Sequence, residues 1–494
     1  MTSRKLQRDD EVLLELEAFD DAGSAYGVAE CTVNDEVRQY KVTVPGAIPG
    51  DQVRAQLTKV RKRKASSRAL TLKRPSMARI SPRCSHAFRI AEDGPFCGGC
   101  GLQHMAYDAQ LLAKQAWVES CLRHEGMEHL QVHSVRPSVR RWGYRNKMEY
   151  SCTRNRHGEV ALGLYPRGYR YEVMSLRECH LQSEVSSRLL VAAGDWIRKS
   201  GLEPFGFGRG DMPGFIRTMT IREGKRTGDR MIELTTSGAT SAQMHGTVVA
   251  SQDVAAAFSA FIEQQGTVTS WHWTRHHATK GVRTRFETVH MGGKPALYEE
   301  LHISGLQPLR FEVHPRAFFQ PNTLQAEILY SEVHTAATAN PTHKEDLGRV
   351  LDLYCGTGTI GLTLARRARE VIGIELNAEA VENARKNARD NAIENAFFHA
   401  GDAADVLGRL HYGRQNAIDL VIVDPPRNGL SDAAVEQVVS IGAPTIVYVS
   451  CNPKSLARNL GQFSILGYDA QDVQPVDMFP HTFHIENVVR LNRR

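Results

Sequence analysis

From Arg349 onward, apolar segments alternate regularly with helical ones, and this alternation restricts the possible folds more than any other feature. Five segments read as buried strands, namely VLDLYCG, VIGIELN, AFFHAGD, IDLVIVDPP and TIVYVSC. Helical sequence follows each of them, most clearly AEAVENARKNARDN. Apolar strands separated by helices are typical of a parallel, doubly wound sheet. The sequence therefore predicts an α/β domain over residues 341–494, with its ligands at the carboxyl ends of the strands.

The amino-terminal part has a different pattern. Residues 1–75 contain short β-type segments separated by turn signals such as Pro45-Gly46 and Pro49-Gly50. This pattern predicts a small antiparallel, OB-like β-barrel, a frame that commonly binds nucleic acid. The basic run from Arg61 to Lys64 reads as the segment that leaves the barrel. Residues 76–340 mix strand and helix signals and are predicted to form a central α+β domain.

Charge is unevenly distributed along the chain. Twelve Lys or Arg residues and no Asp or Glu lie between Gln52 and Ala91. Such a block repels itself unless an anion lies against it, and a phosphate backbone is the usual partner. No apolar run reaches the roughly 18 residues of a membrane span, and no secretory signal is visible. We expect a soluble, cytoplasmic protein that binds nucleic acid and is a monomer.

The first strand of the α/β domain ends in a glycine-rich turn that contains Gly356 and Gly358. Glycines allow a ligand to approach the backbone closely. Glu375 ends the next strand, at a spacing that suits a carboxylate bound to the two hydroxyls of a ribose. Asp402 follows the third strand, where it can accept a bond from an adenine amino group. On this turn alone, GTGTIG also matches a dinucleotide site, so a dinucleotide and an adenosine-containing methyl donor both remain possible cofactors.

Two further strand ends carry reactive groups. Asp424 begins DPPR, a tetrapeptide whose last residue is aromatic in amino-directed methyltransferases and is arginine here. Cys451 follows the fifth strand and therefore faces the same cleft. A lone cysteine is usually a small buried residue, but beside a methyl-donor pocket a thiol can add to carbon 6 of uracil and activate carbon 5. A base must then remove the proton of carbon 5, and Glu486 is the candidate.

Three cysteines cluster at Cys84, Cys97 and Cys100, and Cys179 is the best candidate for a fourth ligand. In a chain of this kind, clustered cysteines bind metal more often than they form disulfides. Four thiolates suit either zinc or a 4Fe–4S cluster. Their spacing alone does not distinguish the two.

Together these motifs resemble the uracil-5 RNA methyltransferase family. The resemblance is carried by FFQPN, DLYCGTG, DPPR, SCNP and PHTFHIE, in that order along the chain. It implies a Rossmann-like methyltransferase domain, S-adenosylmethionine as methyl donor, Cys451 as nucleophile and Glu486 as proton acceptor. It also implies that the donor and the extruded base are bound by six residues, namely Gln320, Tyr354, Thr359, Glu375, Asp402 and Asp424.

The resemblance is strongest to ribosomal members, which have an amino-terminal TRAM barrel and a 4Fe–4S cluster. It implies a cluster held by Cys84, Cys97, Cys100 and Cys179, although the first gap between these cysteines is longer here than in those members. The expected substrate is 23S ribosomal RNA, and transfer RNA is the first alternative. Two other hypotheses are an inactive RNA-binding factor and a cytosine-5 methyltransferase. The second would normally have a cysteine beside DPPR, where this chain has none.

Overall fold

The computed structural model describes residues 4–92, 94–169, 171–206, 214–278, 281–282, 284–339, 346–403, 405–406 and 417–494. Separate apolar cores lie within an amino-terminal β-rich region, beneath a central sheet and on both faces of a carboxyl-terminal α/β sheet. The predicted α/β class is confirmed. The predicted domain boundary between residues 340 and 341 lies outside the described residues. None of the described helices is long and apolar enough to cross a membrane.

The amino-terminal region is a sheet of six described strands in the order β1-β5-β6-β4-β3-β2. Its side chains alternate between solvent and one core, as the two-residue period of a strand requires. All neighbouring pairs are antiparallel except β4 and β6, so the sheet is mixed rather than purely antiparallel. The strands are β1 (Glu11–Glu15), β2 (Ala18–Phe19), β3 (Ala25–Val33), β4 (Glu36–Val44), β5 (Gln52–Arg61) and β6 (Lys64–Arg74).

The basic run from Arg61 to Lys64 forms the turn between β5 and β6. Arg61 pairs with Lys64 across this hairpin, and Lys62 has a positive φ of 55°. The prediction that this run leaves the barrel is therefore wrong. Strand β6 was missed because KASSRALTLKR is rich in small and charged residues, has no aromatic residue and has only one β-branched residue, Thr71.

Helix α1 (Tyr107–His124) lies far from residues 341–494 in sequence but packs on the carboxyl-terminal sheet. Its Lys114 forms a fully buried ion pair with Asp477, with Nζ and Oδ1 2.6 Å apart. The hydroxyl of Tyr107 donates to the other carboxylate oxygen of Asp477 at 2.8 Å. These contacts fix the segment that leads from Asp477 to Glu486.

The central sheet has seven described strands in the order β15-β14-β11-β10-β7-β8-β9. Helices α2 and α3 cover one of its faces and form the central core with it. A hairpin of β12 and β13 precedes α3. The elements are β7 (Lys147–Arg154), β8 (Val160–Leu164), β9 (Met174–Ser175), α2 (Glu184–Ser200), β10 (Ile216–Glu223), β11 (Arg230–Ser237), β12 (Ser241–Met244), β13 (Thr247–Ala250), α3 (Ser251–Gln264), β14 (Ser270–His277) and β15 (Arg285–Gly293).

A short hairpin and a helix connect the central sheet to the carboxyl-terminal domain. Strands β16 (Leu297–Leu301) and β17 (Leu309–Val313) pair in antiparallel register. Helix α4 (Thr323–Thr338) follows them, and its buried side chains join the apolar core of the last sheet. The FFQPN segment therefore enters the carboxyl-terminal domain directly from this connection.

The carboxyl-terminal sheet has seven described strands in the order β20-β19-β18-β21-β22-β24-β23. The first five in this order are parallel, as predicted, and β24 runs antiparallel to both of its neighbours. The elements are β18 (Arg349–Leu353), α5 (Thr359–Leu364), β19 (Glu370–Glu375), α6 (Ala378–Asp390), β20 (Ala396–Ala400), β21 (Leu420–Val423), α7 (Asp432–Ile441), β22 (Thr445–Ser450), α8 (Pro453–Ile465), β23 (Tyr468–Val476) and β24 (Glu486–Arg493).

Candidate active site

The glycine-rich turn after β18 has an unusual backbone. Tyr354, Gly356 and Gly358 all have positive φ angles, of 63°, 55° and 78°. A Cβ atom on Gly358 would lie 2.8 Å from the ring of Phe398, so a side chain there would also clash. A hydrogen bond joins the start of α5 to the end of β18, because the amide of Gly361 donates to the buried carboxylate of Asp352 at 2.9 Å. Glycine is therefore required at position 358 on both conformational and steric grounds.

Glu375 lies beside this turn, as the sequence predicts. Its carboxylate accepts hydrogen bonds from the amides of Gly356 at 3.3 Å and Asn377 at 2.9 Å. Burial, and after it the charges of Asp402 and Glu375, raise the pKa of Tyr354, so these three side chains lie near one another. Thr359 begins α5, and its hydroxyl accepts a bond from Tyr330 at 3.2 Å. The arrangement brings the predicted donor-binding residues to one edge of the sheet.

One exposed apolar residue at this edge was not singled out from the sequence. Leu376 is 77% exposed immediately after Glu375. Tyr354 is also 39% exposed in the turn itself. Exposed apolar side chains grouped around a concave site commonly contact a ligand. The sequence signal that could have identified Leu376 is a bulky apolar residue directly after an acidic residue at the end of a strand.

The FFQPN segment connects this edge to the central domain. The carbonyl oxygen of Phe318 accepts a bond from the hydroxyl of Thr357 at 3.5 Å. On the other side, Asn146 donates from its side-chain amide to the carbonyl of Gln320 at 2.7 Å and from its backbone amide to the carbonyl of Pro321 at 2.8 Å. Gln320 is therefore held between the cofactor turn and the start of β7.

Cys451 and Glu486 face each other at the strand ends. Ser450 at the end of β22 pairs with Asn487 of β24 in antiparallel register. The next position along β22 and the previous one along β24 are Cys451 and Glu486, so the two side chains lie across from each other. Asn452 fixes the loop, because its side-chain amide donates to the carbonyl of Arg427 in the DPPR turn at 2.9 Å.

The charge environment of these residues favours their neutral forms. Glu486 is only 6% exposed, and burial and the nearby charge of Asp424 raise its pKa well above the usual range, while Arg427 opposes this effect. Burial, followed by the charges of Glu486 and Asp424, raises the pKa of Cys451 to about 11. Burial raises the pKa of Asp424 to about 7. The charge of Arg427 acts on the pKa of Cys451 in the opposite direction to these two carboxylates.

The four clustered cysteines line one pocket in the central region. Cys84, Cys97, Cys100 and Cys179 all face it, and all four are free thiols. Burial raises the pKa of Cys97 to about 11 and of Cys100 to about 12, and the charges of the neighbouring cysteines add to both shifts. Within the described residues, no group of three or more His, Cys, Asp or Glu side chains is placed to hold a metal ion.

Comparison with known proteins agrees with the site. The family model described as tRNA (Uracil-5-)-methyltransferase matches residues 283–494. An uncharacterized RNA methyltransferase of Protochlamydia amoebophila is 37% identical over 457 residues, which cover 91% of this chain and 99% of the relative. Another, from Caldanaerobacter subterraneus, is 33% identical over 484 residues, which cover 98% of each chain.

A solved structure extends this likeness over nearly the whole chain. The Pyrococcus abyssi tRNA (uracil-54, C5)-methyltransferase, in complex with S-adenosyl-L-homocysteine, superposes with a TM-score of 0.70 at 26% identity. The match covers 97% of this chain and 99% of that one. The family predicted from the motifs is confirmed. This chain belongs to the RNA uracil-5 methyltransferase family and has the S-adenosylmethionine-dependent methyltransferase fold of its members.

Proposed function

We propose that this protein methylates carbon 5 of a specific uridine in 23S ribosomal RNA, with Cys451 as nucleophile and Glu486 as proton acceptor. The observation that carries the proposal is the pairing of Ser450 with Asn487, which sets the thiol opposite the carboxyl group. Methyltransferases that act on an exocyclic amine need no thiol, whereas carbon 5 of uracil reacts only after a nucleophile adds to carbon 6.

The donor pocket is formed by residues at the other strand ends. Glu375 binds the ribose hydroxyls, Asp402 the adenine amino group, and Tyr354, Thr359 and Gln320 complete the pocket; Asp424 faces the target base. S-adenosylmethionine supplies the methyl group and, as a sulfonium cation, positive charge that favours the ionised forms of Cys451 and Glu486.

The chain's own groups perform the remaining steps. The thiol of Cys451 loses its proton to solvent water, and the sulfur forms a bond to carbon 6 while the electrons of the carbon 5–carbon 6 double bond move to form an enolate. Carbon 5 then takes the methyl group. The carboxylate of Glu486 accepts the proton of carbon 5, the double bond re-forms, and the bond between sulfur and carbon 6 breaks. The thiolate of Cys451 is thereby regenerated.

A stacked or paired uridine cannot reach Cys451, so the target base must leave its stack. Extrusion costs a few kcal/mol, and phosphate contacts can offset that cost. Three of the twelve basic residues between Gln52 and Ala91 pair with carboxylates, namely Arg54, Arg74 and Arg79, and the others supply such contacts. The amino-terminal barrel and the four-cysteine pocket support a ribosomal substrate, because ribosomal members of the resembled family combine both features.

Transfer RNA is the second candidate substrate. The similar Pyrococcus abyssi enzyme is a transfer RNA methyltransferase by name, and its likeness spans 97% of this chain. An inactive RNA-binding factor is a weaker hypothesis, because Cys451 and Glu486 are both present and lie at adjacent strand ends.

Labelled methyl transfer distinguishes these substrates. With S-adenosylmethionine carrying a labelled methyl group, we expect 5-methyluridine in unmodified 23S ribosomal RNA and none in unmodified transfer RNA, as measured by nucleoside analysis. 5-Methyluridine in transfer RNA alone would identify transfer RNA as the substrate and leave the proposed chemistry unchanged. No product in either RNA, under conditions in which the protein binds both, would favour the inactive binding factor.

We also propose that Cys84, Cys97, Cys100 and Cys179 hold a 4Fe–4S cluster. The donor set fits, since four free thiols line one pocket and burial disfavours their charged forms unless a cation neutralises them. No group of three or more His, Cys, Asp or Glu side chains is placed to hold a metal ion among the described residues, so the proposal depends on the four thiols that line one pocket. The cluster would connect the segment before α1 to the strands of the central sheet.

Metal content tests this assignment. Protein purified without oxygen is expected to be brown and to contain about four irons per chain. The variant Cys179→Ala should lose most of this iron, whereas Cys121→Ala, which alters a buried cysteine outside the pocket, should keep it. Colourless protein loaded with zinc, or equal iron in the two variants, would contradict the cluster.

A further inference from the structure

One face of the central sheet is polar although much of it is buried. In the antiparallel register of β7, β10 and β11, Glu149 pairs with Thr220 and Thr220 with Glu233. Residues directly across from each other point to the same face. The opposite face, which contains Tyr150 and Leu234, packs on α2 and α3. The polar face does not belong to that apolar core and is available for another role.

A cavity of about 350 Å³ lies on this polar face. Its walls come from the strands and from the Pro315–Arg316 segment, which precedes FFQPN. Cavities of this size accept ligands as large as a nucleotide. The residues that matter for its chemistry are Lys147, Glu149, Arg217, His276, Phe286 and Arg316.

Three cations, Lys147, Arg217 and Arg316, line this cavity, and the carboxylates of Glu149 and Glu233 lie near Lys147. A register shift between Ile216 and Thr218 turns Arg217 toward the cavity, as β-bulges commonly do near functional sites. Among the described residues, the guanidinium of Arg217 lies 4.1 Å from the centroid of the Phe205 ring, and its buried Nη1 atom has no hydrogen-bond partner. A buried donor without a hydrogen-bond partner is costly, and a bound anion would remove that cost.

An aromatic side chain lies beside these cations. Phe286 is 37% exposed at the cavity wall. The ring of His276 stacks on it, with centroids 4.5 Å apart and planes 15° from parallel, and the guanidinium of Arg316 lies 3.5 Å from its centroid. His276 and Arg316 therefore occupy the two faces of the Phe286 ring, and the three planar groups form one stack at the cavity. Proteins bind unpaired RNA bases against planar aromatic and guanidinium groups of this kind.

Polar side chains on the floor of the cavity can distinguish the hydrogen-bonding edges of different bases. Glu149 and Glu233 contribute carboxylate oxygens, and Thr218 and Thr235 contribute hydroxyls. Glu233 is held in place by a bond from the hydroxyl of Thr274 at 2.6 Å. Donors and acceptors that converge on one pocket are what base recognition through hydrogen bonds requires.

The cavity is connected to the catalytic cleft by short stretches of backbone. Arg316 lies two residues before Phe318, whose carbonyl is bonded to Thr357 of the cofactor turn. Lys147 directly follows Asn146, whose side chain binds the carbonyl of Gln320. Two short backbone segments, residues 316–318 and 146–147, therefore join this cavity to residues that contact the glycine-rich turn and Gln320.

We propose that this cavity binds one unstacked nucleotide of the substrate RNA other than the methylated uridine. Arg217, Arg316 and Lys147 hold its phosphate, and its base packs against the stack of His276, Phe286 and Arg316 and meets the carboxylates of the floor. The inference rests on the proposed RNA substrate, and it adds a second point of recognition that selects the RNA in addition to the catalytic pocket.

Salt-dependent binding tests the phosphate contacts. Filter binding of Arg217→Gln and Arg316→Gln to transcripts of 23S ribosomal RNA and of transfer RNA is compared with that of the unaltered protein. Each variant should bind the preferred transcript about tenfold more weakly, because a hydrogen bond to a charged group is lost. The slope of log K against log salt should become shallower by about 0.7 for each lost single-strand phosphate contact.

Two further variants control for fold and for general charge. Phe286→Leu keeps an apolar side chain but removes the stacking ring, and it should weaken binding about tenfold with an unchanged salt slope. Arg389→Gln removes an exposed positive charge on α6 and should leave both binding and slope unchanged. Every variant must bind S-adenosylhomocysteine as the unaltered protein does.

The outcomes separate this inference from the proposed function. Unaltered binding and slope in Arg217→Gln and Arg316→Gln overturn the nucleotide site, even if the protein methylates uridine normally. Weakened binding with shallower slopes supports the site, even if no methylation is detected. Equal weakening by Arg389→Gln would show that general positive charge, and not this cavity, accounts for the loss.

Discussion

Replacing Cys451 by alanine is expected to abolish methylation, with a loss of turnover on the order of 10⁴-fold or more. Without a bond from sulfur to carbon 6, carbon 5 of the uracil keeps its aromatic-like electron distribution and does not attack the methyl group. No described side chain other than Cys451 offers a thiol at the end of β22, opposite Glu486. The residual activity should therefore be at the level of the background reaction.

Binding measurements separate the chemical role of Cys451 from a structural one. Since the change removes one sulfur atom from a partly exposed position, the affinities for RNA and for S-adenosylhomocysteine should stay close to those of the unaltered protein. The matched control is Cys152→Ala, which removes a buried thiol from the central core and should retain turnover. Methylation by Cys451→Ala at the normal rate would remove Cys451 as the nucleophile.

The strand order of the carboxyl-terminal domain was only partly predictable from the sequence. Four of the five parallel strands, β18, β19, β21 and β22, follow from their uniformly apolar character, because they are buried on both faces. The fifth, β20, lies at the sheet edge and is partly exposed. The position of β24 between β22 and β23 does not follow from any local pattern, since it depends on pairing between distant segments. Strand β23 begins at Tyr468, although Asp469, Gln471 and Asp472 interrupt the apolar pattern at its start.

The residue types of the active site were predictable, but their electrostatics were not. Cys451 and Glu486 were identified as a nucleophile and a base from their motifs. That they face each other depends on the antiparallel pairing of β22 and β24, which the sequence does not encode locally. The raised pKa of Cys451 depends on the nearness of Glu486 and Asp424, which are remote from it in sequence. The polar cavity was missed for the same reason, since a bulge at Arg217 decides where its side chain points.

Replacing Glu486 by glutamine is expected to stop the reaction one step later than replacing Cys451 does. A side-chain amide cannot accept the proton of carbon 5, so the electron pair needed to expel the thiolate never becomes available. Turnover should fall by about 10²- to 10⁴-fold. A covalent complex of methylated RNA and protein should accumulate, and it should survive on a denaturing gel with labelled RNA.

The folded protein tolerates this change because its interior favours the uncharged form of the Glu486 side chain. Burial raises the pKa of Glu486 well above the usual range, so the folded protein holds this proton to a higher pH than the unfolded chain does. The unaltered protein therefore loses stability as the pH rises above the pKa of the unfolded carboxyl, and the glutamine variant does not. Thermal unfolding at neutral pH should show the variant to be at least as stable.

The double variant Cys451→Ala with Glu486→Gln tests whether the covalent complex forms through the sulfur of Cys451. It should form no covalent complex, because the bond to carbon 6 cannot be made, whereas Glu436→Gln, an exposed acid on α7, should turn over normally and trap nothing. If Glu486→Gln released product at the normal rate, a different group would have to take the proton of carbon 5. An adduct that persisted in the double variant would come from another nucleophile. An adduct that forms in Glu486→Gln and is absent from the double variant would link Cys451 and Glu486 to one reaction sequence.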